Sequence, residues 1–331
     1  MPRTQPINPR YRRTYQHLSG ADLAVSECAE LSLEALGLGA PQQPRVDLIF
    51  GTYSPQGLER ALRAYGLLQR VEERVGPMEL RVQCGDPFRP RIVLWSRRFY
   101  APVADLCLRK TLGAEVGLGD ALGTAPLLYV DSLRLQHPGR SFDWNRPPLP
   151  GQSHPGLALS GSILDLLRLM ARRIGAEALA LIPATFAAAC IYEHRFIFVD
   201  GAAQGRFLAL KGAGQQRPRW LLAWAVELGC MRDAQGQAVP FMPTPMVSPL
   251  SRRLIRHFDT REWDDALLVG ARQPLALDEE ALQQRFPWER MPPGPPPERV
   301  ADLLGYDPLA PIAAHQAAPS RYRGVAGWEW A

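Results

Sequence analysis

The stretches LLYVDSLRL (127–135) and PGLALSGSILDLLRLMARRIGAEALALIPATFAAACIYEHRFIFV (155–199) decide how this chain folds. The first reads as a strand. In the second, Ile163, Leu166, Leu167, Met170 and Ile174 recur at spacings of three and four, while Asp165, Arg168 and Arg172 line the other side. That pattern predicts an amphipathic helix over 162–174, ended by Gly175. A buried strand at 178–182, a short helix at 185–193 and a last strand at 196–199 follow.

Upstream, Ser54-Pro55 supplies an N-cap and a proline at the first helical position. The stripe Leu58, Leu62, Tyr65, Leu68, Val71 and Val75 then predicts one helix to Gly76, with Arg60, Arg63 and Glu73 on its outer face. Met78, Leu80, Val82 and Cys84 alternate with polar residues, and with 91–95 they predict a hairpin. A short apolar run at 46–50 precedes these elements, a short helix is predicted at 102–112, and 113–123 is a glycine-rich connection. The alternation of strands and helices argues for a mixed α/β sheet flanked by helices. Residues 1–44 read as an N-terminal arm with a short helix at 22–36, residues 45–212 as the main domain, and 213–331 as a helical, proline-rich C-terminal extension. In that extension, helical pieces are predicted near 220–229, 249–258, 278–286 and 298–305, and the tail after Pro308 reads as mobile unless Trp328 and Trp330 anchor it.

The 331 residues carry 46% hydrophobic and 21% charged residues, the balance of a folded globular chain. No run approaches the roughly 18 apolar residues of a membrane span, and the start MPRTQPINPRYRR lacks a signal-peptide core. A cytoplasmic protein with no membrane partner is expected. Five scattered cysteines, Cys28, Cys84, Cys107, Cys190 and Cys230, form no C-x-x-C pair, so neither a disulfide framework nor a metal site is expected. The net charge of +5 is carried by arginine, with Lys110 and Lys211 the lysines. Arginine grips phosphate, and genomic composition gives the same bias. The cluster Arg10, Tyr11, Arg12, Arg13 and Tyr15 suits nucleic acid or, more simply, a solvated arm; nucleic acid is not the expected partner.

A helix that starts directly after a tight loop offers unpaired N–H groups and a positive dipole end to an anion. Residues 155–161 supply such a corner. Here the chain resembles the GNAT superfamily of acyl-CoA-dependent N-acyltransferases, whose pyrophosphate loop reads Q/R-x-x-G-x-G/A before an amphipathic helix. Pro155, Gly156, Leu157, Ala158, Leu159, Ser160 and Gly161 fall on that loop. Pro155 replaces the polar first position and lacks an N–H, Ala158 replaces a glycine, and Ser160 holds the final small-residue site. Ala189, Tyr192, Glu193 and Phe196 match the A-x-x-F/Y-Y-E-x-x-F segment, with Ile191 where an aromatic is frequent. The resemblance spans roughly 45–210 and is strongest over 127–200.

It implies a mostly antiparallel sheet and acetyl-CoA or another acyl-CoA as co-substrate, bound by residues 155–161, by Ala189, and by a splayed strand at Leu133 and Leu135. It also implies Tyr192 as proton donor to the departing thiolate. The amine acceptor would be a small molecule, a peptide or a protein. Asp131 is the carboxylate available as general base, with His137 or a water relay as alternatives; Tyr192 also reads as a packed aromatic. Direct attack is expected, since no G-x-S-x-G elbow occurs. The excursion 137–152 offers Phe142, Trp144 and Arg146 for an acceptor or acyl pocket, or is an exposed loop. Trp220, Trp224 and Trp263, with Arg252, Arg253 and Arg256, read as covering helices or a homodimer interface. The competing function is a binding or scaffold protein that keeps the fold and has lost catalysis.

Overall fold

A computed structural model describes residues 5–25, 48–214 and 217–306. The 22–36 helix falls largely outside these, the 46–50 run only at 46 and 47, and Cys28, Trp328 and Trp330 wholly so. The chain opens with α1 (Pro9–His17) and α2 (Gly20–Leu23). The arm is docked by one face, with Ile7 and Tyr11 buried and Arg173 donating to the carbonyls of Tyr15 (2.7 Å) and Leu18 (2.9 Å), while Arg10, Arg12 and Arg13 are exposed.

Ser54 caps the next helix by accepting from Gly57 N–H, and Pro55 starts it. The single helix expected here is two, α3 (Pro55–Ala64) and α4 (Leu67–Val75), because Gly66 sits at φ 70° and breaks the ladder. The hairpin forms as read: β1 (Met78–Gln83) pairs antiparallel with β2 (Arg91–Ser96), Met78 opposite Ser96. The helix expected at 102–112 is instead the long strand β3 (Ala101–Leu112), hydrogen-bonded to β2 on one side and β4 (Pro126–Leu135) on the other. Leu106 and Leu108 carry the strand period, and pairing on both edges outweighs the helix-permissive composition.

After α5 (Asp120–Gly123) and β4 come α6 (Ser160–Arg173), β5 (Ala178–Leu181), α7 (Phe186–Tyr192), β6 (Ile197–Phe198) and α8 (Gly201–Ala213). Then follow α9 (Arg219–Glu227), β7 (Met231–Arg232), β8 (Met246–Pro249), α10 (Arg252–His257), α11 (Arg261–Ala271), β9 (Ala276–Leu277), α12 (Glu279–Arg285) and α13 (Glu298–Leu304). The main sheet has seven strands in the order β1-β2-β3-β4-β5-β8-β6, and every neighbouring pair is antiparallel except β4 with β5. β8 comes from beyond residue 212 and lies between β5 and β6, so the sheet is completed by the segment read as an extension.

One face of the sheet, with Leu128, Val130 and Leu179, packs on α3, α4, α6 and α7; the other, with Leu127, Tyr129, Ala178 and Ala180, packs on α10 and α11. Helices α8 and α11 touch backbone to backbone: a Cβ at Gly205 would fall 2.2 Å from the Leu267 carbonyl oxygen, so only glycine fits there. No helix among the described residues is long and apolar enough to cross a membrane.

Candidate functional site

Strand β4 pairs with β3 along most of its length but with β5 only from Leu127 to Val130. Immediately afterwards Asp131 is the extra residue of a β-bulge, since Cys107 opposes Ser132 and Leu108 opposes Val130. A bulge bends its strand and is common beside functional sites. Beyond it, Leu133 and Leu135 stay bonded to Leu106 and Ala104 and have no strand partner on the β5 side. β4 and β5 therefore part, and the 155–161 loop and α6 make the crossover between them.

In the loop, Gly156 and Ala158 are exposed while Leu157 and Leu159 are buried. Small residues thus face out and leucines anchor the turn in the core. Ala158 takes the left-handed conformation, φ 55°, suited to the glycine it replaces. Pro155 accepts from His137 N–H at 2.8 Å, which ties the start of the loop to the end of β4. From Gly156 to Ser162 the backbone N–H groups find no acceptor among the described residues, and α6 has no side-chain cap. These donors sit at the positive end of a helix of 14 residues.

Three arginines surround this corner. Arg70 donates to Ser162 Oγ (3.0 Å) and Tyr11 Oη (2.8 Å), Arg74 donates to the Leu157 carbonyl, and the Arg195 guanidinium lies 3.1 Å from where a Cβ on Gly161 would stand. One turn further along α6, buried Asp165 is shared by Arg195 (2.9 Å) and Arg168 (3.7 Å). Burial pushes Arg168 down to about 10, against the pull of Asp165. Two guanidiniums around one carboxylate leave net positive charge under the loop. The sequence reading missed Arg70, Arg74 and Arg195, because an arginine on a helix face or in a turn gives no sign of which loop it will meet.

Thr185 caps α7 by accepting from Ala188 N–H, and α7 carries the other candidates. Ala189 is completely buried, so it packs the helix rather than presenting a surface. Tyr192 is half-buried against the Phe196 ring (5.8 Å between centroids), and its hydroxyl has no hydrogen-bond partner among the described residues. Burial raises its pKa, which keeps the phenol protonated. Glu193 is ion-paired with Lys211 of α8, fixing the end of α7.

Asp131 is drawn away from Tyr192: it pairs with Arg109 (3.0 Å), whose guanidinium lies over the Tyr129 ring on the opposite face of the sheet. His137 is buried and structural, its Nε2 meeting the Arg74 carbonyl at 3.0 Å and its Nδ1 accepting from Gly139 N–H at 3.3 Å. Burial drives the Cys190 thiol up to about 12, with the Glu193 charge adding to it, and burial also raises Cys230.

The excursion after β4 is bound down, not loose. Trp224 Nε1 donates to the Pro148 carbonyl (2.8 Å), and Trp144 stacks near Trp220 and Trp288. Between excursion, loop and α9 lies a cavity of about 340 Å³, to which Pro155 and Gly156 contribute. A second, of about 460 Å³, lies between Trp144, α9 and α13. Neither includes a residue of β5 or α7. The sequence matches no protein-family model and aligns with no curated protein.

Proposed function

We propose that this chain is a GNAT-type N-acyltransferase, moving an acyl group, acetyl by default, from an acyl-CoA thioester to an amine by direct attack. The observation that carries the reading is the run of unpaired N–H groups from Gly156 to Ser162, held between two parallel strands that separate after Val130. A pyrophosphate needs such donors, a helix N-terminus and nearby guanidiniums, and these occur together here. The separated strands give a pantetheine arm a place to lie as a surrogate strand beside Leu133 and Leu135, where a β4 N–H would polarise the thioester carbonyl.

Chemically, the amine attacks the thioester carbon, and the collapsing adduct expels the thiolate. Tyr192, a phenol whose pKa burial raises further above neutral, supplies the proton that the sulfur takes up. Asp131 already accepts from Arg109 on the far face, so the proton lost by the ammonium leaves more simply through water. The raised Cys190 and Cys230 favour direct transfer over an acyl-cysteine intermediate.

Calorimetry with coenzyme A and acetyl-CoA tests this. Ala158→Trp places an indole on the exposed turn of the loop, where coenzyme affinity should fall at least a hundredfold while the unfolding midpoint moves little. Absence of binding by the unsubstituted chain would leave the scaffold reading. That reading draws on one observation: Tyr192 and Ala189 border neither cavity.

A further inference from the structure

The cavity beside the loop has a lining of definite chemistry. Arg146 comes from the excursion and Arg219 from the first position of α9; both are exposed, and neither guanidinium has an acceptor among the described residues. Among the described residues, no aspartate or glutamate lines the cavity. Asp143, three residues before Arg146, is turned to the N–H groups of Asn145 and Arg146. Two guanidiniums without acceptors, both lining one cavity, suit a carboxylate or phosphate oxygen pair.

The remaining walls are mostly apolar, with the amides Asn145 and Gln152 among them. Phe142 and Trp220 face the cavity, and Trp220 is held by Trp144 (6.2 Å) and Phe286 (6.1 Å). Flat apolar surfaces suit an aromatic or large aliphatic group, and a volume of about 340 Å³ suits a small molecule rather than a protein segment. Gly156 belongs both to this cavity and to the loop with free N–H groups, so a ligand anchored here lies beside the proposed coenzyme site.

We infer that this cavity is the acceptor pocket, and that the acceptor is a free amino acid with an aromatic or large apolar side chain, its carboxylate held by Arg146 and Arg219 and its side chain against Phe142 and Trp220. Calling the ligand an acceptor rests on the acyl-transfer reading; the binding site itself does not. A pocket built to pair a carboxylate discriminates strongly against an analogue that lacks one, because the guanidiniums are then left without their partner. The two exposed arginines hold no other part of the fold, so their removal leaves the protein folded.

The test is calorimetry on the full chain with L-phenylalanine and L-tryptophan, against phenethylamine and tryptamine, which lack the carboxylate. The expected result is that at least one amino acid binds, and at least tenfold more tightly than its decarboxylated partner. The doubly substituted Arg146→Ala, Arg219→Ala chain should lose at least tenfold in amino-acid affinity and keep acetyl-CoA affinity within twofold. Equal binding of amine and amino acid overturns the inference, as does no amino-acid binding at millimolar concentration. Loss of acetyl-CoA affinity in the double variant, with amino-acid affinity unchanged, overturns it too and assigns the cavity to the coenzyme's phosphates. Arginine-dependent amino-acid binding by a chain that ignores acetyl-CoA upholds the pocket and removes the acyl-transfer reading.

Discussion

The two edges of β4 are built to different ends. Toward β3 it is paired from Pro126 to Leu135, across a bulge, and Asp105 of β3 links the strands on both sides, accepting from Nε and a terminal nitrogen of Arg91 on β2 at 2.9 Å and from Arg134 on β4 at 3.4 Å. Toward β5 it is paired only from Leu127 to Val130, and the space beyond is bordered by free N–H groups and arginines. One edge uses its backbone for cohesion. The other leaves backbone unsatisfied, which a fold tolerates at a surface where a ligand or water supplies the missing partner. If that contrast is functional, damage to the open edge should cost activity without stability, and damage to the closed edge the reverse.

Tyr192→Phe probes the open edge. Its hydroxyl bonds to nothing described, so stability should hold, while loss of a proton donor should lower kcat about a hundredfold with KM within twofold. Because burial raises the phenol's pKa, any alkaline fall in kcat due to Tyr192 should lie above the ordinary tyrosine value of about 10. An unchanged kcat would make Tyr192 a packing residue.

On the closed edge, Asp105→Asn should cost about 2 kcal/mol, less than a fully buried pair because Arg91 and Arg134 are partly exposed, with acetyl-CoA affinity unchanged. The pH dependence has a definite sign. The hydrogen bond from Arg91, then the charges of Arg91 and Arg134, hold the Asp105 carboxyl below the usual range. Its contribution is therefore complete above the unfolded value of about 3.9 and is lost as pH falls through the lower folded value. Denaturant titrations between neutral and acid pH should show this acid loss in the unsubstituted chain and less of it in the variant. An equal acid loss in both would remove Asp105 from the account.

What was legible in the sequence follows the same division between local and assembled features. Strand β4, helix α6 and the β1–β2 hairpin were readable because each carries its burial pattern within its own residues. In the loop, Leu157 and Leu159 were placed by the motif alone, and the structure buries both while Gly156 and Ala158 are exposed. Strand β3 was misread because its identity depends on two neighbours, and β8 was missed because four residues among prolines acquire meaning only when β5 and β6 flank them. For the same reason Arg70, Arg74 and Arg195 gave no signal, and Asp131, chosen for nearness in sequence, turned out to face Arg109.

The smallest expected effect lies in the loop itself. Ala158 holds φ 55°, a conformation that a side chain disfavours and glycine does not. Ala158→Gly removes that strain, worth about 1 kcal/mol, but adds freedom to the unfolded chain, worth somewhat less. Net stability should therefore rise by only a few tenths of a kcal/mol. Coenzyme affinity should rise more than stability does, because the deleted methyl projects from an exposed turn onto the side where a pyrophosphate would approach the N–H groups. Paired measurement of unfolding midpoint and acetyl-CoA affinity separates the two contributions. A gain in both would mean that the alanine strains the site as well as obstructing it. A gain in stability with no gain in affinity would mean that the ligand does not approach this turn, and that the free N–H groups of the open edge serve only to end a helix.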